Sequence, residues 1–162
     1  MQTEKYTMYK LDPIDLQLIT ALQEDGKQSI KQLADIVNLS ITPTHERIKR
    51  MEANGVIEKY VAIVNPKALG KNIIVYCQVT LVKHQEVNFK IFEDYVAEMD
   101  EILEVSYIAG AYDFLLKIIL EDMNDYQNFV LKKLSKLDII SNMQSSFIIK
   151  QIKSTTKITY KK

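Results

Sequence analysis

One segment of the sequence, SITPTHERIKRM (residues 40–51), concentrates side chains that can bind nucleic acid. Arginine and lysine can hold phosphates or bind guanine, and threonine offers a hydroxyl or a methyl group to a base edge. The candidate DNA-binding residues are Ser40, Thr42, Thr44, His45, Arg47, Lys49 and Arg50. The alternative is a solvated helix face with side-chain pairs four residues apart, such as Glu46 with Arg50.

A second group of residues has the chemistry to bind a small zwitterion. It surrounds the turn GAYD, which follows an apolar strand. Gly110 has no Cβ, so a carboxylate can approach its backbone and that of Ala111 closely. Asp113 can pair with an ammonium group, and Tyr107 or Tyr112 can pack against the ligand side chain. A purely structural hairpin turn is the alternative, and the residues alone leave both interpretations open.

Residues typical of catalysis or metal binding are sparse. Cys77 is the single cysteine, which excludes an intramolecular disulfide and a cysteine-based metal site. The two histidines, His45 and His84, are distant in sequence, which argues against a histidine metal site. The sequence has no nucleophile with a paired base and no glycine-rich phosphate loop. We therefore expect no enzymatic activity and no metal or cofactor, apart from a possible amino-acid effector.

The composition is typical of a soluble globular protein of one ordinary domain or two small ones. The chain has 162 residues and a hydrophobic content of 47%. Lysine plus arginine and aspartate plus glutamate both number 21, so binding to DNA has to rest on a local cationic patch. No apolar run approaches the roughly 20 residues that span a bilayer. We expect a cytoplasmic location and no membrane partner.

Local signals predict three short helices in the first third of the chain. Asp12 caps the first helix, and Pro13 fits its first turn. Ser29 opens the second helix as part of a capping box. Ser40 caps the third helix, which ends at Gly55, a residue suited to a left-handed C-cap. The residues predicted on the buried face of the third helix are Ile41, Thr44, Ile48 and Met51.

Strand patterns follow the helices. Val56–Tyr60 and Val61–Val64 are predicted to form a wing-like pair of short strands. From residue 73 the order strand, helix, strand, strand, helix, strand is that of a ferredoxin-like split unit. The predicted fold class is therefore α+β, with an N-terminal winged helix-turn-helix followed by a C-terminal ferredoxin-like βαββαβ domain.

Four motifs in a fixed order carry a family resemblance. LADIVNLS, RIKRMEANGVI, NPKALG and GAYD together resemble the Lrp/AsnC, or feast/famine, transcriptional regulators, and the resemblance extends from about Leu11 to Lys153. We accordingly divide the chain into a winged helix-turn-helix domain at 1–64, a linker at 65–72, a RAM/ACT-like ligand-sensing and oligomerisation domain at 73–153, and a polar tail at 154–162.

The resemblance also implies partners and site residues. Family members bind double-stranded DNA, dimerise through the second domain and often assemble further into tetramers, octamers or larger rings. They sense amino acids or related metabolites near the turn that matches Gly110 to Asp113. Arg47 matches the family's near-constant recognition-helix arginine. Ser145 matches a strand position that usually holds a threonine close to the effector. This sequence departs from the family at LDIISNM, which replaces a proline-containing approach to the last strand.

Two functions follow from these observations. The first is a sequence-specific transcriptional regulator whose assembly or DNA affinity responds to an amino acid or a related small metabolite. The second is a small-molecule-binding regulatory module that acts through a protein partner rather than through DNA. A salt-dependent mobility shift on the promoter of its own gene separates the two.

Overall fold

The computed structural model describes residues 9–160. Within this range the chain forms two compact units, of which the first combines residues 9–63 with 153–160 and the second is Val64–Ile152. Residues 153–160 thus group with the N-terminal helices, whereas the sequence suggested a separate polar tail at 154–162. No helix in the described range has the length and apolarity that crossing a membrane requires.

The first unit contains three α-helices whose starts follow the local sequence signals. They are α1 (Pro13–Glu24), α2 (Ile30–Val37) and α3 (Ile41–Ala53). The Asp12 carboxylate accepts the N–H groups of Ile14 and Asp15 at the start of α1. The predicted capping box opens α2, with 2.8 Å between the Ser29 nitrogen and Gln32 Oε1. These bonds satisfy amide groups that have no partner inside a helix.

The three helices pack around a small apolar core. Its buried members are Leu18, Ala21, Leu33, Val37, Ile48 and Met51. Asn38 has a φ of 55°, a left-handed conformation that reverses the chain between α2 and α3. Ile41 was predicted on the buried face of α3 but is 55% exposed, because it is the first residue of the helix and the buried face begins one turn later at Thr44.

The segment after α3 contains no strand in the part of the chain that the structure describes, so the predicted strands at 56–60 and 61–64 are absent. Gly55 has a φ of 69° and closes the helix as predicted. The N–H groups of Val56 and Ile57 both lie close to the carbonyl oxygen of Met51, at 2.9 and 3.3 Å. Amides that cap a helix in this way cannot also pair with a strand.

A charge cluster fixes α3 against the start of α1. Arg47 Nη1 lies 2.6 Å from Asp12 Oδ2 and 2.7 Å from Asp15 Oδ1. Asp15 is 1% exposed and also accepts the hydroxyl group of Tyr9, at 3.2 Å. The N–H group of Asp15 and the Arg47 guanidinium lower the pKa of Asp12. Because a buried carboxylate needs a partner, this clamp of Asp12, Asp15 and Arg47 sets the position of α3.

The second unit is a four-stranded antiparallel sheet with two helices. Its elements in chain order are β1 (Ile73–Leu81), α4 (Glu86–Ala97), β2 (Ile102–Tyr107), β3 (Phe114–Leu120), α5 (Met123–Lys132) and β4 (Ile140–Phe147). The strand order β2-β3-β1-β4 confirms the predicted βαββαβ unit. Alternate residues of β1 are buried together with Phe92 of α4 and Phe129 of α5, so the core lies between the sheet and the helices.

Strand pairing brings the turn before β3 to the end of β1. Val79 lies opposite Phe114 on one side and Met143 on the other. The N–H group of Asp113 donates to the carbonyl oxygen of Val79 at 2.9 Å. The register of the sheet therefore places the turn at residues 110–113.

Arg47→Ala should lower the free energy of unfolding by about 3 kcal/mol, because it leaves the buried Asp15 carboxylate without its cation. Urea unfolding followed by circular dichroism measures the loss. Lys49→Ala removes an exposed cation from the same helix and is the matched control, with an expected change below about 0.5 kcal/mol. Equal losses in the two variants would contradict the clamp.

Candidate DNA-binding surface and effector turn

The outer face of α3 presents most of the predicted DNA-binding side chains. Those that are exposed are Ser40, Thr42, His45, Lys49 and Arg50. Ser40 occupies the N-cap position, but its side chain accepts no hydrogen bond from the helix. Its hydroxyl is therefore available to a phosphate oxygen at the helix N-terminus, where the dipole favours an anion.

Thr44, another predicted DNA-binding residue, lies on the buried face of α3. Its side chain is fully buried, and its hydroxyl donates to the carbonyl oxygen of Ser40 at 2.9 Å. The same apolar spacing that places Ile48 and Met51 in the core also places Thr44 there. Its position on the helix turns it away from any groove that the outer face could enter.

Arg47 was also predicted to contact DNA, but its guanidinium is turned toward α1. The side chain is 23% exposed, and Nη1 forms both ion pairs of the clamp. Hydrogen bonds to the carboxylates of Asp12 and Asp15 raise the pKa of Arg47. The structure thus gives Arg47 a part in orienting α3, and the outward cations are Lys49 and Arg50.

Arg50 is held by an aromatic ring. Its Cζ atom lies 5.2 Å from the centre of the Tyr9 ring, within the range of a cation–π contact. No ion pair between Glu46 and Arg50 forms among residues 9–160, so the pair suggested by the solvated-face alternative is absent. Arg50 therefore presents its remaining donors to solvent from a restrained position.

A cavity of about 250 Å³ adjoins the outer face of α3. His45, Lys49 and Glu52 line it together with Tyr60 from the following segment. The Tyr60 hydroxyl donates to Glu52 Oε1 at 2.9 Å, and burial together with this carboxylate raises the pKa of Tyr60 to about 12. The contact holds the segment after α3 against the helix.

The turn at residues 110–113 is open on the side of Gly110. Gly110 has a φ of 153°, which L side chains rarely adopt, and a Cβ built on it would meet no atom within 4 Å. Ala111 is exposed beside it, and Tyr107 is 67% exposed at the end of β2. Backbone groups of the turn are thus accessible to a ligand.

Asp113 makes a contact through each of its carboxylate oxygens. Its Oδ2 atom accepts the N–H group of Leu81 at 2.8 Å, which ties the turn to the end of β1. Its Oδ1 atom lies 3.3 Å from Nε2 of His84. The residue is only 9% exposed, and an ammonium group could not replace the Leu81 bond without disturbing the turn.

Tyr112 and Ser145 differ in their relation to the turn. The Tyr112 hydroxyl donates to Oε1 of Gln144 on β4, which fastens the turn across the end of the sheet. Ser145 pairs with Cys77 in the ladder, two residues before Val79, to which Asp113 is bonded. The structure therefore brings Tyr107, Gly110, Ala111, Tyr112 and Asp113 together and leaves Ser145 further along the strand.

Two aromatic residues next to the turn were missed by the sequence analysis. The ring of Phe89 on α4 lies 5.1 Å from that of Tyr107 and 6.2 Å from that of His84. Both missed residues, His84 and Phe89, follow β1, whose last residues lie beside the first residues of β3 in a βαββαβ unit. The predicted strand order could therefore have indicated that His84 and Phe89 lie near the turn.

Comparison with known proteins gives the same two-part organisation. The family model for the Lrp/AsnC ligand binding domain matches residues 74–158, and the model for a winged helix-turn-helix DNA-binding domain matches residues 11–58. The first match covers more than half of the chain, and the second contains all three helices of the first unit.

Relatives of known function and structure match over nearly the whole chain. A proline dehydrogenase transcriptional activator of Rhizobium radiobacter is 36% identical, over 90% of this chain and 93% of its own. The DNA-binding transcriptional activator DecR of Escherichia coli is 34% identical, over 91% and 97%. A transcriptional regulator of Neisseria meningitidis, solved in complex with L-Met, is 29% identical with a TM-score of 0.89, over 93% and 97%. The chain therefore belongs to the Lrp/AsnC family of DNA-binding transcriptional regulators and not to an enzyme family.

Proposed function

We propose that this regulator binds operator DNA through the outer face of α3, and that an amino acid bound at the turn 110–113 changes its assembly or its DNA affinity. The observation that carries the proposal is the pair of outward cations, Lys49 and Arg50, on a helix whose position the clamp fixes. The chain has no net charge, so this local patch has to supply the attraction to phosphate.

The two cations differ in what they offer to DNA. Lys49 is an exposed ammonium group on a flexible stem, which suits a phosphate contact. Arg50 is restrained by the Tyr9 ring, which lowers the entropy lost when its planar donors bind a base edge or a phosphate. Thr42 and His45 complete the exposed polar set on this face.

Lys49→Ala should weaken DNA binding on all sequences alike, and should reduce the slope of log affinity against log salt by about 1, since one phosphate contact is lost. Fluorescence anisotropy on a footprinted site at several salt concentrations measures both quantities. Lys132→Ala removes an exposed lysine from α5 in the second unit and is the control. If both variants bind like the wild type, α3 does not contact DNA through Lys49.

A homodimer is the assembly that we infer, with tetramers or octamers built from it. Several apolar side chains of the second unit are exposed in the isolated chain, including Leu103 and Val105 on β2 and Ile149 after β4, at 52%, 39% and 100%. Exposed apolar surface of this kind is typical of protein interfaces. Two copies also place two cationic helices on one DNA molecule, which compensates for the small charge of each.

Leu103→Asp and Ile149→Asp should shift the protein toward monomer and weaken binding to inverted half-sites spaced by whole helical turns. Multi-angle light scattering gives the mass as a multiple of 18.8 kDa. Val87→Asp changes an exposed apolar residue on α4 and is the control. A wild-type protein that is monomeric at working concentration, or that protects single asymmetric sites, would contradict the dimer.

An amino acid fits the chemistry around the turn. The open backbone at Gly110 and Ala111 can receive a carboxylate, and Asp113 Oδ1 can receive an ammonium group. The exposed ring of Tyr107, packed on Phe89, offers an apolar surface to a ligand side chain. The related Neisseria regulator in complex with L-Met supports the same class of ligand.

Asp113→Asn should abolish or strongly weaken amino-acid binding while leaving the fold intact, because the amide oxygen can still accept the Leu81 N–H group but carries no charge. Isothermal titration calorimetry with each common amino acid tests this. Asp100→Asn, the same substitution at an exposed position, is the matched control. The effector site is excluded if no amino acid binds the wild type, or if one binds Asp113→Asn equally well.

A further inference from the structure

The last described residues of the chain are bound to α1 of the DNA-binding unit. The side-chain amide of Gln23 makes two hydrogen bonds with the backbone of Ile158: the Ile158 N–H group donates to Oε1 at 2.7 Å, and Nε2 donates to the Ile158 carbonyl oxygen at 3.1 Å. The Gln23 amide thus offers Ile158 both the acceptor and the donor that a neighbouring strand would offer. Residues 135 positions apart in sequence meet at the end of one helix.

An ion pair next to this contact brings a positive charge to the C-terminus of α1, which has none of its own. The helix ends in Glu24 and is capped by Asp25, and its last turn carries no basic residue. Negative charge at a helix C-terminus is unfavourable, because the helix dipole is negative there. Lys157 supplies the missing cation by binding Glu24 Oε1.

The segment at 153–160 is held by these polar contacts and not by core packing. Ile158 is 81% exposed and Tyr160 is 69% exposed. The Lys157 N–H group donates to Thr155 Oγ1 within the segment itself. Bonds of this kind are few and lie near solvent, so the segment can detach without unfolding α1.

The position of the segment changes how the two units are connected. The chain leaves the first unit after Ile63, forms the second unit, and re-enters the first unit at Lys153. We propose that residues 153–160 form a releasable strap, which gives the DNA-binding unit a second, non-covalent attachment to the chain of the ligand-binding unit. The inference goes beyond the proposed function, and it requires no effector.

A second connection restricts the freedom of the DNA-binding unit. A unit attached at two points samples fewer positions than a unit attached at one point, and less entropy is then lost when it binds a fixed half-site. Detachment of the strap is therefore expected to weaken DNA binding. Release would also extend the range of half-site spacings that the protein accepts.

Gln23→Ala and Lys157→Gln are the strap variants, and Lys150→Gln is the control, since Lys150 is exposed and loses the same charge. Hydrogen exchange of the Ile158 amide, read by NMR or mass spectrometry, should accelerate about fivefold or more in both strap variants, the factor implied by one lost hydrogen bond. It should stay unchanged in the control. Anisotropy on a two-half-site DNA should show weaker binding in both strap variants, with a smaller dependence on spacing.

The Gln23→Ala variant removes no cation. Weaker DNA binding in this variant therefore reports release of the strap and not the loss of a positive charge. Weaker DNA binding in Lys157→Gln alone would mark Lys157 as a phosphate contact and overturn the strap. Charge reversal gives a second test: Glu24→Lys should release the segment, and the double variant Glu24→Lys with Lys157→Glu should restore slow exchange and wild-type DNA binding. Unchanged exchange at Ile158 in Gln23→Ala, or unchanged DNA binding despite fast exchange, would overturn the proposal.

Discussion

Asp15 carries its carboxylate into a position that is 1% exposed, where an unpaired charge would be strongly destabilising. Arg47 on α3 provides the partner charge, and its Nη1 atom binds both Asp15 and Asp12. One consequence is geometric, since the ion pairs fix how α3 lies on α1. The other is chemical. With Arg47 facing inward, Lys49 and Arg50 remain on the outer surface of the helix, and their orientation depends on the ion pairs of Arg47.

The second unit uses a carboxylate in a related way. Asp113 closes the end of the sheet through Oδ2 and leaves Oδ1 beside His84. A ligand that pairs with Oδ1 thus acts on a residue that also joins β1 to the turn. For a ligand at the proposed site, binding and local structure would be linked through this single side chain. Tyr112 joins the same turn to β4 through its bond to Gln144.

Local signals predicted most of the fold, because caps and periodicity depend on neighbouring residues. The capping box at Ser29, the C-cap at Gly55 and the strand order all agree with the structure. Long-range partners were not predictable in this way. Periodicity shows which face Arg47 occupies but not that two carboxylates more than 30 residues away would bind it. The strap was missed for the same reason, since a polar segment such as 153–160 has no pattern that names Gln23 as its partner.

Charge neutrality determines how such a protein can be regulated. Each copy offers DNA a small cationic surface, so the affinity of one copy is expected to be weak and sensitive to salt. In the dimer that we propose, linked sites would raise the effective concentration of the second helix at the DNA and so strengthen binding. A strongly basic domain would bind DNA with or without a second copy of itself. In the proposed assembly of a neutral chain, a ligand that favours or opposes association would change the occupancy of the operator, and this is how a modest effector site would control transcription.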